Sequence, residues 1–123
     1  MAFSPEHFAV WMELPVTDLD RAAAFYNTVF DTELKRDESG PNPMAIFPTS
    51  TPGGVAGHLY PGTPAPEGRG ATVHFPCPDK LEDALARVTA AGGRVLSDPV
   101  SIPAGRFAYC LDTEGNSIGV FAR

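Results

Sequence analysis

ELPVTDLDRAAAFY, residues 13–26, decides the fold because the chain writes it twice. HFPCPDKLEDALARV, residues 74–88, follows the same plan: a short strand pattern, a Pro-x-x-Asp step, then apolar residues at helical spacing. Asp18 and Asp79 stand at the two helix starts, where a side-chain oxygen caps free backbone N–H groups. Their separation is 79 − 18 = 61. Under that offset Glu13 falls on His74, Leu14 on Phe75 and Pro15 on Pro76. The offset works again for GGVAGHLY (53–60) against TEGNSIGVF (113–121), with Gly54 on Gly115 and Leu59 on Val120. Convergent strand–helix patterning would not share an offset, so a duplicated unit is expected.

Each unit reads as βαβββ. The first strand alternates, with Val10, Met12, Leu14 and Val16 on one side and Ala9, Trp11, Glu13 and Pro15 on the other. Helices are expected near Leu19–Phe30 and Lys80–Ala91, the second closed by Gly92-Gly93. Further strands are expected around Glu33–Arg36, Met44–Phe47 and Val55–Tyr60, then Arg94–Leu96, Phe107–Leu111 and Ser117–Phe121. The fold class is therefore α+β, two tandem βαβββ modules (7–60 and 71–123) in a single domain of residues 1–123. Pro61–Gly70 reads as a Pro/Gly-rich linker, and Ser97–Arg106 as a loop flanking any pocket.

Composition narrows the function classes. A net charge of −6 and an isoelectric point near 4.8 argue against a nucleic-acid partner, which needs a basic stripe. No apolar run approaches the roughly 20 residues of a membrane span, and no signal peptide is read, so a cytoplasmic protein with no membrane partner is expected. Cys77 and Cys110 lack a CxxC spacing and read as small apolar residues. No nucleophile–base signature and no phosphate loop is present.

ELPVTDLDRAAAFYNTVF, AAGGRVL and YCLDTEGNSIGVF together resemble the vicinal oxygen chelate superfamily of glyoxalase, bleomycin-resistance and extradiol-dioxygenase proteins. The resemblance covers essentially the whole chain. It implies curved mixed sheets around a ligand cavity, often completed by a homodimer. It also implies metal-ligand positions: a His seven residues before each helix-start Asp, and a Glu late in the last strand of a module. Carried over, these positions hold Trp11, Thr72, His58 and Gly119, and only His58 can bind a metal.

Two readings follow. Side chains two apart in a strand share a face, so Glu13, His58 and His74 can project into one space as a displaced ligand set for Zn, Ni, Mn or Fe. Glu13 and His74 then lie two residues, about 6–7 Å, from the usual positions. Glu13 reads equally well as a cavity base or metal ligand and as a strand-end carboxylate, either solvated or paired with Arg69 or Arg106. Trp11, Tyr60 and Phe121 join Glu13, His58, Thr72 and His74 as expected ligand-lining residues, since aromatics with a few convergent polar groups describe a small-molecule site. With three of four ligand positions unable to coordinate, the expected function is a dimeric small-molecule-binding protein with no cofactor, sequestering its ligand. The alternative is a metal-dependent lyase, isomerase or dioxygenase using Glu13, His58 and His74. The register of Tyr109 stays open.

Overall fold

The two copies of the repeat fold alike in the computed structural model, which describes residues 2–123. The first comprises β1 (Glu13–Val16), α1 (Leu19–Val29), β2 (Lys35–Asp37), β3 (Met44–Ile46) and β4 (His58–Pro61). The second comprises β5 (Val73–Pro76), α2 (Leu81–Ala90), β6 (Arg94–Val95), β7 (Val100–Ile102), β8 (Gly105–Leu111) and β9 (Ser117–Ala122). Their sheets run in the orders β1-β4-β3-β2 and β5-β9-β8-β6, with β7 added on β8. The repeat is visible in the register itself. In the first sheet Glu13 pairs with His58 and Leu14 with Leu59; in the second His74 pairs with Gly119 and Phe75 with Val120. Every partner is displaced by the same 61 residues.

The helix-facing parity is the one the alternation predicts. Leu14, Val16, Leu59, Phe75, Ile118 and Val120 are buried, together with Ala22, Phe25, Tyr26 and Val29 of α1 and Leu81, Ala84 and Val88 of α2. They form one core with contributions from both modules, in which the Tyr26 ring meets Phe47 and Phe75, each at 5.3 Å between centroids. Polar side chains fasten the modules at the end of β1. Tyr26 Oη donates to Asp112 Oδ2 (2.6 Å), and Asn116 Nδ2 donates to the Pro15 carbonyl (2.9 Å).

Several local expectations are corrected. The alternation of residues 10–16 overstates β1, which begins only at Glu13; Val10 and Trp11 are exposed. Asp18 caps α1, accepting from Arg21 N at 3.0 Å, but Asp79 does not cap α2. That helix starts two residues after Asp79, at Leu81, and the Asp79 carboxylate is taken by the Arg87 guanidinium through bonds of 2.7 and 2.8 Å. Residues 97–106 are not all loop, because β7 folds back on β8 as a hairpin and Ile102 pairs with Gly105. A strand was hidden there because Pro99 and Pro103 flank it and read as breakers. Pro61 ends β4 rather than opening the linker.

Gly92 closes α2 in the left-handed conformation (φ 95°), which a side chain would oppose, and Gly93 N–H returns to the Val88 carbonyl. Among the described residues, no helix is long and apolar enough to cross a membrane.

Candidate functional site

The sheet faces turned away from the core each carry a small group of aromatic and titratable side chains. On the first module, parallel pairing of β1 with β4 puts Glu13 beside His58 and Pro15 beside Tyr60. Trp11, just before the strand, folds over this face and its Nε1–H donates to His58 Nδ1 at 3.0 Å. His58 Nε2 lies 3.9 Å from Glu13 Oε1, and the Tyr60 ring stands edge-on to the imidazole at 6.2 Å. Trp11, Glu13, His58 and Tyr60 therefore form one contiguous group. Arg106, a candidate partner for Glu13, bonds Glu82 instead.

On the second module, His74 occupies the position equivalent to Glu13. Its ring lies across Gly119, where an added Cβ would fall inside the imidazole, so the missing side chain at 119 is what admits the ring. Phe107, Tyr109 and Phe121 surround it edge-on at 5.1, 6.0 and 6.1 Å, and Phe107 and Phe121 are parallel to within 6°. A cleft of about 780 Å³ opens here, lined by His74, Cys77, Ile102, Phe107 and Phe121 among others. Thr72 lies beside this face, its hydroxyl bonded to Ser117 Oγ at 2.6 Å.

Of the residues picked from sequence, the structure thus assembles two sets within one chain: Trp11, Glu13, His58 and Tyr60, and separately Thr72, His74 and Phe121. Glu13 and His58 come together; His74 does not join them. Among the described residues, no three His, Cys, Asp or Glu side chains converge into a group that could hold a metal. Phe107 and Ile102 line the cleft without having been singled out in the sequence, and Tyr109, whose register the sequence left open, stands beside the His74 and Phe107 rings. FAYCL (107–111) is apolar throughout, so it gives no alternation to sort one face from the other; pairing of Tyr109 with Gly119 settles the register. The thiols are not activated: burial raises the Cys110 pKa to about 11 and also raises that of Cys77.

Comparison with known proteins places this geometry. Residues 6–120 match the family model described as the Glyoxalase/Bleomycin resistance protein/Dioxygenase superfamily. The chain belongs to this superfamily. A glyoxylase-like domain-containing protein from Didymella fabae is 31% identical over 124 residues, covering 91% of each chain. The fold is similar to a glyoxalase/bleomycin resistance protein from Albidiferax ferrireducens T118 (TM-score 0.69, 23% identity, 93% and 97% of the two chains). It is also similar to a genomically encoded fosfomycin resistance protein from Listeria monocytogenes (TM-score 0.67, 18% identity, 100% and 93% of the two chains).

Superfamily membership raises the question of a divalent metal, against which the donors of one chain can be tested. Trp11 offers only an N–H donor, the Thr72 hydroxyl is engaged by Ser117, and Gly119 has no side chain. His58 keeps one ligating group, and Glu13 is its sole acidic neighbour in this cluster. A catalytic site needs about three protein ligands with open positions for substrate. The residues at these positions do not fit a metal held within one chain.

Proposed function

We propose that this protein binds a small apolar molecule, without a metal, in a cavity completed by a second copy of the chain. The observation that carries the reading is the separation of the two lined faces. Glu13, His58 and Tyr60 lie on one sheet with Trp11 folded over its face, and His74, Phe107, Tyr109 and Phe121 lie on the other. Each is half of a pocket: an apolar wall with one imidazole and an open side. Trp11 and Tyr109 are 50% and 40% exposed, a large apolar area to leave facing water.

The strands beside these faces support the same reading. β1 and β5 are both sheet edges, and they do not pair with each other within the chain. An unpaired edge invites a strand from elsewhere. A two-fold dimer that set β1 of one protomer against β5 of its partner would bring each first-module face opposite a second-module face, making two equal cavities.

Sedimentation and a thermal-shift screen test the proposal together. A dimer at micromolar concentration is expected, stabilised by flat apolar ligands whether or not a chelator is present. A ligand at 100 times its Kd adds roughly 2.7 kcal/mol, which such a screen detects. A monomer, or stoichiometric Zn, Ni, Mn or Fe carried through purification and lost with His58→Ala, would overturn it.

A further inference from the structure

The bond between Trp11 and His58 sets what the first-module face can recognise. An indole N–H is a donor only. The nitrogen it points at, His58 Nδ1 at 3.0 Å, must therefore present its lone pair, which leaves the imidazole proton on Nε2. Nε2 faces Glu13 Oε1 across 3.9 Å, too far for a direct hydrogen bond and near enough for one ligand group to touch both.

We infer that Trp11 is a positioning residue that fixes His58 as the Nε2–H tautomer, and that His58 and Glu13 then recognise a neutral hydroxyl or carboxamide on a flat apolar ligand. A hydroxyl oxygen accepts from His58 Nε2–H and donates to the Glu13 carboxylate; a carboxamide does the same through its oxygen and its N–H. An ammonium has no lone pair for the imidazole N–H, and a carboxylate has no proton for Glu13 and is repelled by it. The apolar body of the ligand is called for by the Trp11 and Tyr60 rings beside the pair.

The same bond works against a metal. Ligation through Nε2 would need the proton on Nδ1, where it would confront the indole N–H, donor against donor. Metal-bound histidines are held the other way, donating their second N–H to an acceptor. Trp11 therefore does more than omit a ligand: it opposes ligation by the one histidine left at the inherited position.

The ligand class rests on the binding reading given under Proposed function; the tautomer does not. Long-range proton–nitrogen correlation spectra of the full chain, at a pH where imidazole is neutral, report the tautomer directly. His58 is expected to show a protonated Nε2 and a bare Nδ1, and Trp11→Phe to give a mixture. Benzamide is expected to move the Trp11 indole and His58 signals, with binding weakened about three- to tenfold in Trp11→Phe, the range of one modest hydrogen bond. Benzylammonium and Ni²⁺ are expected to leave these signals unmoved. A protonated Nδ1 in the native chain, or Ni²⁺ shifting His58 while benzamide does not, would overturn the inference. The expected tautomer with no response to any probe would instead overturn the binding reading and the ligand class that depends on it.

Discussion

Glu114, in the last turn of the second module, receives the Arg21 guanidinium from the first helix through two bonds, Nε at 2.8 Å and Nη2 at 2.9 Å. Its carboxylate also accepts the backbone N–H groups of Thr17 and Asp18 and the Thr113 hydroxyl. The side chain has no solvent exposure, although Arg21 is half exposed. The two most recognisable stretches of the sequence, DLDRAAAFY and DTEGN, thus meet as the fastening between modules. Their role is architectural, and it holds the two lined faces in their relation to each other.

That fastening makes stability depend on pH. Burial works to raise the Glu114 pKa, but bonds from Arg21, Asp18 and Thr113 outweigh it and bring the group from 4.5 to about 2. A carboxyl with a depressed folded-state pKa stabilises fully above its unfolded value and loses the effect as pH falls through the folded one. At about 1.4 kcal/mol per unit, and discounted for the exposure of Arg21, the contribution is roughly 2–3 kcal/mol at neutral pH. Urea denaturation of Glu114→Gln is expected to show that deficit at neutral pH, shrinking below about 4.5 and gone near 2. A deficit independent of pH would contradict the assignment.

Asp112 is the second part of the fastening. It is 4% exposed and is satisfied by Tyr26 Oη, the N–H groups of Glu114 and Asn116, and Asn116 Nδ2. Burial is the largest cause of the strongly raised Tyr26 pKa, with the Asp112 carboxylate next, so the phenol is a committed donor. Tyr26→Phe keeps the ring packing and removes one charge-assisted bond, with an expected loss of about 1.5–3 kcal/mol by chemical denaturation. A variant as stable as the native chain would show that Asp112 is satisfied without the phenol.

Much of this was legible in the sequence, for identifiable reasons. The offset of 61 residues needed only two matched segments, and the same offset governs the pairing of β1 with β4 and of β5 with β9. The parity of β1 was legible because Leu14 and Val16 alternate with polar or cyclic neighbours. Residues 107–111 alternate with nothing, so Phe107 and Tyr109 were out of reach. Asp79 matched the Pro-x-x-Asp pattern but met a competing partner, Arg87, that only the packing of α2 reveals. The face shared by Glu13 and His58 followed from period two; the separation of His74 depends on how two sheets pack, which no local pattern encodes.

Gly119 tests the arrangement of the second face. Alanine there places a methyl group inside the His74 imidazole, and the backbone is paired on both sides, by His74 of β5 and Tyr109 of β8. The ring is expected to swing away from Phe107, shifting the His74 ring resonances and costing about 1–3 kcal/mol from overpacking. The His58 resonances are expected to stay in place. An undisturbed His74 in Gly119→Ala would show that its ring does not rest on the glycine.

The most direct test of the proposed composite site is subunit mixing between His58→Ala and His74→Ala, read by benzamide binding. Each variant alone is expected to lose the probe, since every cavity of the proposed homodimer would lack one imidazole. Mixed dimers would contain one cavity with both imidazoles intact and one with neither. Mixing equal amounts and allowing exchange is therefore expected to restore about a quarter of the native sites. No recovery after verified exchange, with both variants folded, would place both imidazoles of a site on the same chain and contradict the account.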